Sequence, residues 1–410
     1  MPSQLTETPP RGAGALDVGA LLGATPLYDA VIDELHGRRI RIGDRWLADF
    51  ASCNYLGFDL DPEIMDAIAP AVRAWGTHPS WSRMLGSPRL YPDLEEELTD
   101  LLGAPDSLLL PNISLIHVSV IPALVRSGSL FLDSQAHRTI YDGCVMARAR
   151  GASLHRFPSG DLEALRRLLT AAPTGTPRVV CMDGVNSMTG NAPDLPAAAA
   201  LAREFGALLY VDDAHGFGVI GEQPDASTPY GWRGNSVVRH AGESYDGIVL
   251  VGGFSKAYSS LLAFVALPTA VKNELKVAAA PYLYSGPSPV ASLATVQAGF
   301  RVNAARGDQL RADLHRKTAR VLACIDEVGL TTPNRSGLPI IEIPIAETDD
   351  VQAVGRYLFD AGIYVTLAAY PLVPRSQVGF RIQVTAANSD EEITELCDTL
   401  RGLAVAFGGR

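Results

Sequence analysis

From residue 107 onward, short apolar runs alternate along the chain with amphipathic stretches. The runs are SLLLP at 107, SLFLD at 129, RVVCMD at 178, ALLYVDD at 207, GIVLVGG at 247 and AFVALP at 263. Each is too brief for a typical helix, and polar residues barely interrupt it, as expected of a strand covered on both faces. Between them lie helical patterns such as LPAAAALAREFG at 195–206. This alternation predicts an α/β domain over about 47–288, built on a mostly parallel sheet.

Other patterns flank it. PLYDAVIDELHG, following Thr25, reads as a helix stopped by Gly37, with strand-like RRIRIG and RWLADFA after it. In PDLEEELTDLLG, Leu94, Leu98, Leu101 and Leu102 share one helical face, and Gly103 closes the helix. Beyond the Pro-rich break YSGPSPV, a long helix from about Ala291 to Gly329 precedes IIEIPIA, a helix near 350–361, GIYVTLA and GFRIQVTA. The last helix opens with Ser389 and Glu392 in capping-box spacing and carries Ile393, Leu396, Leu400 and Leu403. These elements predict a smaller α+β domain over 289–410, with the segment 1–46 packing back on it.

Composition narrows the class. The 410 residues are 47% apolar and 19% charged, which excludes intrinsic disorder for most of the chain. The net charge of −11 leaves no basic footprint for nucleic acid or an anionic membrane. The longest unbroken apolar run, Leu261 to Pro268, is eight residues, whereas a spanning helix needs about 20. The opening MPSQLTETPPRGAG has no basic region leading into an apolar stretch and reads as an arm, not a secretory signal. Five cysteines, at 53, 144, 181, 324 and 397, are spaced too widely for a disulfide framework or a zinc pair. The expected setting is cytoplasmic, with no nucleic-acid or membrane partner.

Three residues carry the chemistry. Gly216, Gly218 and Gly221 spell G-x-G-x-x-G, the pattern of a nicotinamide oxidoreductase, but Asp212, Asp213, Ala214 and His215 intervene after the apolar run and EQPDAS follows in place of a helix. The strand before them ends in Asp212, at the carboxyl edge where α/β sheets bind ligands; taken alone, such an acid is more often a turn or cap residue. Lys256 follows the GIVLVGG run. It is either a solvated loop residue or a partly desolvated amine able to form a Schiff base. Ser255 misses the hydrolase elbow by one position. In order, though, an acid, a histidine three residues on (His215) and a lysine 44 residues after the acid match what pyridoxal 5′-phosphate requires. The acid keeps the pyridine nitrogen protonated, and the lysine holds the aldehyde.

With these residues in place, the chain resembles the α-oxoamine synthases among fold-type I pyridoxal-phosphate enzymes. The resemblance rests on NYLG at 54, HRTIYDG at 137, DGVNSMTG at 183, VDDAHGFGVIGE at 211, FSKA at 254, PYLYS at 281, GIYVT at 362 and YPLVP at 370. It implies an aminotransferase-like fold, with a large domain on a mostly parallel seven-stranded sheet and a small C-terminal domain. It also implies a homodimer with a shared active site, and condensation of an amino acid with an acyl thioester carried by CoA or an acyl-carrier protein. By the same resemblance Lys256 binds the cofactor and moves the Cα proton, Asp212 pairs with the ring nitrogen, His215 and Ser187 lie at the phenolic oxygen, and His137 stacks on the ring. Arg381 grips the substrate carboxylate, assisted by Asn54.

The departures cluster at the cofactor. Gly253 stands where the family places a phosphate-binding threonine, leaving Ser255 as its substitute. The phosphate turn reads PNIS, with Asn112, Ile113 and Ser114 as its residues. Ser259 to Leu262 replace a glycine-rich stretch, and Gly286 replaces the residue lent by the neighbouring subunit. Ser82, Arg83 and Tyr91 align imperfectly with a Ser-Arg and His pattern. An aminotransferase or other Cα-bond chemistry without an acyl donor is the alternative within this cofactor class; a nicotinamide oxidoreductase using GFGVIG and a catalytically silent scaffold of this fold are the alternatives to it.

Overall fold

The computed structural model describes residues 25–345, 350–368 and 377–407; the N-terminal arm and the YPLVP segment lie outside the described residues. The helix expected after Thr25 does not form. Val31, Ile32 and Leu35, which set its period, are exposed, so that period is not used to bury an apolar face. Turns instead lead into β1 (Glu34–His36), and Gly37, at φ 59°, turns the chain into β2 (Arg39–Ile42) and β3 (Arg45–Asp49). A glycine read as a helix stop is a hairpin turn, two roles that need the same left-handed backbone.

The apolar runs become β4 (Ser107–Leu110), β5 (Ser129–Asp133), β7 (Arg178–Asp183), β8 (Leu208–Asp212), β9 (Ile248–Gly253) and β10 (Ala263–Ala266), each buried along nearly its whole length. A seventh strand, β6 (Ser153–Phe157), escapes the pattern: SLHRF carries only two apolar residues and is only partly buried because it forms the sheet edge. The order is β4-β10-β9-β8-β7-β5-β6, parallel from β9 to β6 and antiparallel at β10. The parallel register aligns the carboxyl ends of β7 and β8, so that Asp183 faces Asp212.

The long helix forms in two lengths, Val290–Val302 and Asp308–Glu327, joined by a π turn at Asn303–Gly307. Asn303 Oδ1 accepts from Arg311 Nη1 at 2.8 Å, and the same nitrogen donates to the Gly218 carbonyl at 3.1 Å. This buried arginine ties the helix to the loop after β8. Gly218, at φ 86°, packs so near Ala257 that an added Cβ would lie 2.6 Å from the alanine Cβ, and one on Gly221 would lie 1.9 Å from the Trp232 carbonyl oxygen. The G-x-G-x-x-G glycines therefore serve close backbone packing rather than nucleotide binding.

Toward the C-terminus, β11 (Ile340–Pro344), β14 (Gly379–Gln383) and β13 (Thr366–Ala368) form an antiparallel sheet ordered β11-β14-β13. Strand β12 (Ile363–Tyr364) pairs in parallel with β3, so the N-terminal hairpins and the C-terminal elements are stitched together. The capping box forms as spaced: Ser389 N–H donates to Glu392 Oε2 at 3.0 Å, and Glu392 N–H to Ser389 Oγ at 3.1 Å. Among the described residues, no helix is long and apolar enough to cross a membrane.

Candidate active site

The strand ends that carry Asp133, Asp183 and Asp212 border two adjoining cavities. The smaller, of about 200 Å3, is lined by Asn112, Ile113, Ser114, Asp183, Asp212, Ser255 and others. The larger, of about 800 Å3, is lined by Leu132, Tyr141, Arg156, Met188, Thr366, Arg381 and others. Lys256, His137, His215 and Ser187 line both. Lys256 is half-buried, on a tight loop held by buried Phe254, Ala257 and Tyr258, with Phe254 and Tyr258 packed edge-to-face. The loop closes on itself where Phe254 N–H donates to Leu262 O and Ser260 N–H to Phe254 O. Leu262 is core, Leu261 is exposed, and Ser260 Oγ donates to Ser292 O at 2.8 Å. The unusual SSLL stretch thus packs away from the cavities.

Asp212 is anchored from two sides. Ala214 N–H donates to Oδ1 at 3.0 Å, and His117 Nε2 lies 2.9 Å from Oδ2. His117 Nδ1 lies 2.8 Å from Tyr210 Oη, forming a buried Tyr210–His117–Asp212 chain. Burial pushes the Asp212 carboxyl up. The His117 hydrogen bond, the charges of His117 and Lys256 and the Ala214 N–H outweigh that push and hold it below the ordinary aspartate value. The carboxylate is therefore a fixed negative charge. Neighbouring Asp183 behaves oppositely: burial, then the Asp212 charge, drive it well above the usual range, although it accepts the His137 N–H at 3.0 Å.

His215 Nδ1 lies 2.8 Å from Tyr55 Oη, and burial, then the Lys256 and Arg381 charges, keep the ring neutral by holding its pKa well below the usual value. His137 caps the Arg138–Ala149 helix and reaches Thr139 Oγ1 with Nδ1 at 2.7 Å. Burial also lowers its pKa. Arg381 enters from β14, its Nη1 donating to the Ser187 carbonyl at 2.5 Å. The turn holding Ser187 is fixed by Asn186 Oδ1, which accepts from Met188 and Thr189 N–H.

The structure thus gathers Lys256, Asp212, His215, His137, Ser187, Ser255, Asn112, Ile113, Ser114 and Arg381 around these cavities. It leaves Asn54 out of both linings; its neighbour Cys53 lines the larger one instead. His117 and Asp183 were missed by sequence reading. His117 lies in the strongly apolar helix Ile113–Val125, where a lone histidine was the available signal.

Pyridoxal 5′-phosphate fits these residues. The smaller cavity has a lysine amine, a fixed carboxylate and the N-terminus of the Ile113–Val125 helix in its lining, and such a terminus favours phosphate. Asn112 caps that helix by accepting from Leu115 N–H at 3.0 Å. Ile113 accounts for Gly253: a Cβ at 253 would lie 2.7 Å from Ile113 Cδ1. The side chain present at 113 takes the room that a threonine at 253 would need. Gly253→Thr is therefore expected to lower stability by about 1–3 kcal/mol, and adding Ile113→Ala should recover part of the loss in thermal unfolding. An equal loss in both backgrounds would disprove the exchange.

The model of the aminotransferase class I and II family matches residues 47–400. The chain belongs to that family. Named relatives include 8-amino-7-oxononanoate synthase of Chromohalobacter salexigens, 34% identical over 87% of this chain and 88% of that protein. The synthase of the same name from Maricaulis maris is 33% identical, over 90% of each. Among solved structures, serine palmitoyltransferase of Sphingomonas wittichii superposes with a TM-score of 0.87, at 24% identity, over 96% of both chains. Within the class I and II family, the chain is an α-oxoamine synthase, a pyridoxal-phosphate enzyme that forms carbon–carbon bonds, and its fold is the fold-type I architecture.

Proposed function

We propose that this α-oxoamine synthase joins an amino acid to an acyl thioester with loss of carbon dioxide, giving an α-amino ketone. The observation that carries the reading is the position of Lys256 at the junction of the two cavities, one suited to the cofactor and the other to the substrates. The cofactor supplies an aldehyde and a protonated ring that accepts the electron pair left on Cα. Lys256 would hold that aldehyde and would move the proton at the amino acid's Cα. Asp212 would keep the ring nitrogen protonated, and His117 and Ala214 keep Asp212 charged and in place. His137 would cover the ring, and His215 and Ser187 would offer polar groups to its phenolic oxygen. Arg381 takes the amino-acid carboxylate, which leaves the Cα bond free to stand perpendicular to the ring.

The larger cavity supports the acyl donor. Leu132, Met188 and Leu367 offer apolar wall, and Arg138 and Arg156 offer cations for an anionic thiol carrier, either CoA or a carrier protein. Trp81, Met84, Leu85 and Tyr284 are all exposed, and Ser82 Oγ donates to Leu283 O at 2.7 Å, so these residues form one apolar patch. A second copy of the chain covers it in this reading, which sedimentation of the purified protein will check. A cytoplasmic setting belongs to the same reading. The chemical test is to supply a panel of amino acids with acyl-CoA and acyl-carrier thioesters and follow thiol release and carbon dioxide. Thiol release that requires both partners supports condensation. Conversion of the cofactor to its amine form by an amino acid alone, without thiol release, supports the aminotransferase alternative.

A further inference from the structure

Arg381 has a second acidic neighbour besides any substrate. In the antiparallel pair of β11 and β14, Glu342 stands directly opposite Arg381, and on the other side Thr366 of β13 stands opposite the same arginine. Directly opposed side chains share a sheet face, with Cβ atoms about 4.5–5.5 Å apart. Glu342 is completely buried, and neither carboxyl oxygen has a hydrogen-bond partner among the described residues. The Arg381 Nε is also buried without a partner, while its Nη1 is held by the Ser187 carbonyl. A buried carboxyl and a buried guanidinium edge, both unpaired, thus face each other within reach of a rotamer change. Leaving either so is costly.

We propose that Glu342 is a positioning residue for Arg381 and that its carboxylate competes with the substrate carboxylate for that guanidinium. The inference rests on the reading that Arg381 binds the amino-acid carboxylate. Burial pushes Glu342 up to about 7, against the opposing pull of Arg381. Of the charged groups around the pair, Arg381 acts on Glu342, while Tyr55, His137 and His215 feel Arg381 from the cavity side. Cys53 lies on that side too. Below neutral pH Glu342 is uncharged and leaves Arg381 to the substrate. As pH rises through the Glu342 range, the ionised carboxylate draws Arg381 back. Binding of a carboxylate substrate is then linked to uptake of one proton.

The test measures binding of L-alanine and L-serine to the cofactor-loaded protein by visible absorbance, with ethylamine and ethanolamine as matched amines lacking the carboxylate. Relative to Glu342→Gln, wild-type affinity for the amino acids should fall by up to about tenfold per pH unit above neutral, the slope of one linked proton. The amines should show no such difference. Glu342→Leu should behave like Glu342→Gln, because both remove the titrating carboxyl and the cost of burying it without a partner, so the test does not depend on the folding of either variant alone. A wild-type to variant ratio that is flat with pH, or an equal pH effect on the amines, overturns the inference. Arg381→Lys separates it from the reading beneath. If that variant binds the amino acids as wild type does, the carboxylate role of Arg381 fails. If it weakens only the amino acids while the Glu342 ratio stays flat, the Glu342 inference alone fails.

Discussion

Replacing Lys256 with alanine is expected to leave a folded protein that no longer turns over. The loop does not depend on the lysine side chain for its shape: Phe254, Ala257 and Tyr258 are wholly buried, and its internal hydrogen bonds run through backbone groups, including Ser259 N–H to Lys256 O at 3.0 Å. Its thermal midpoint should therefore stay near that of wild type. The chemistry has no such support. Proton transfer by a placed side chain contributes about 10²–10⁴-fold, and in this site the same amine also holds the aldehyde. Thiol release should fall by at least the upper end of that range. Borohydride reduction of the loaded wild-type protein should fix the cofactor on the peptide carrying Lys256, and the alanine variant should carry no adduct. An adduct on another lysine, or turnover within tenfold of wild type, would sink the assignment of Lys256.

Much of this was legible in the sequence because the chemistry and the sheet share one logic. An apolar run buried on both faces announces a strand, and its carboxyl end announces where Asp212 and Lys256 will meet, so both were found without knowing a single contact. The signal failed where periodicity and burial part company. Val31, Ile32 and Leu35 carry a helical period but lie exposed beside a hairpin, and β6 is an edge strand with few apolar residues to declare it. It failed again for residues that act through another residue. His117 reaches Asp212 across 95 positions, and Glu342 meets Arg381 only through strand register. Neither relation leaves a local pattern. The exchange of Ile113 for bulk at position 253 is of the same kind: the glycine was visible as a departure, its compensation only in three dimensions.

The second large effect concerns the charge at Asp212. Asp212→Asn keeps the shape and the Ala214 hydrogen bond but removes a negative charge from a water-poor site. Removing one such fixed electrostatic partner typically costs about 10²–10³-fold in rate, and cofactor should still bind through Lys256. The pH behaviour sharpens the test. Because the folded carboxyl sits below its ordinary value of 3.8, it stabilises the fold above that value, and this contribution is lost only as pH falls through the lowered one. Wild-type activity should therefore show no acid limb from Asp212 in the neutral range. Removing His117 changes that balance. In His117→Phe the burial that pushes Asp212 up is no longer offset by the strongest opposing partner, so its carboxyl should rise and begin to take up a proton as the medium is acidified. The ratio of His117→Phe to wild-type rate is then expected to fall from alkaline toward acidic pH, whereas a merely structural loss would lower it equally throughout. Asp212→Asn, with nothing left to titrate, should track neither curve. A His117→Phe ratio independent of pH would show that the histidine does not govern the charge of Asp212.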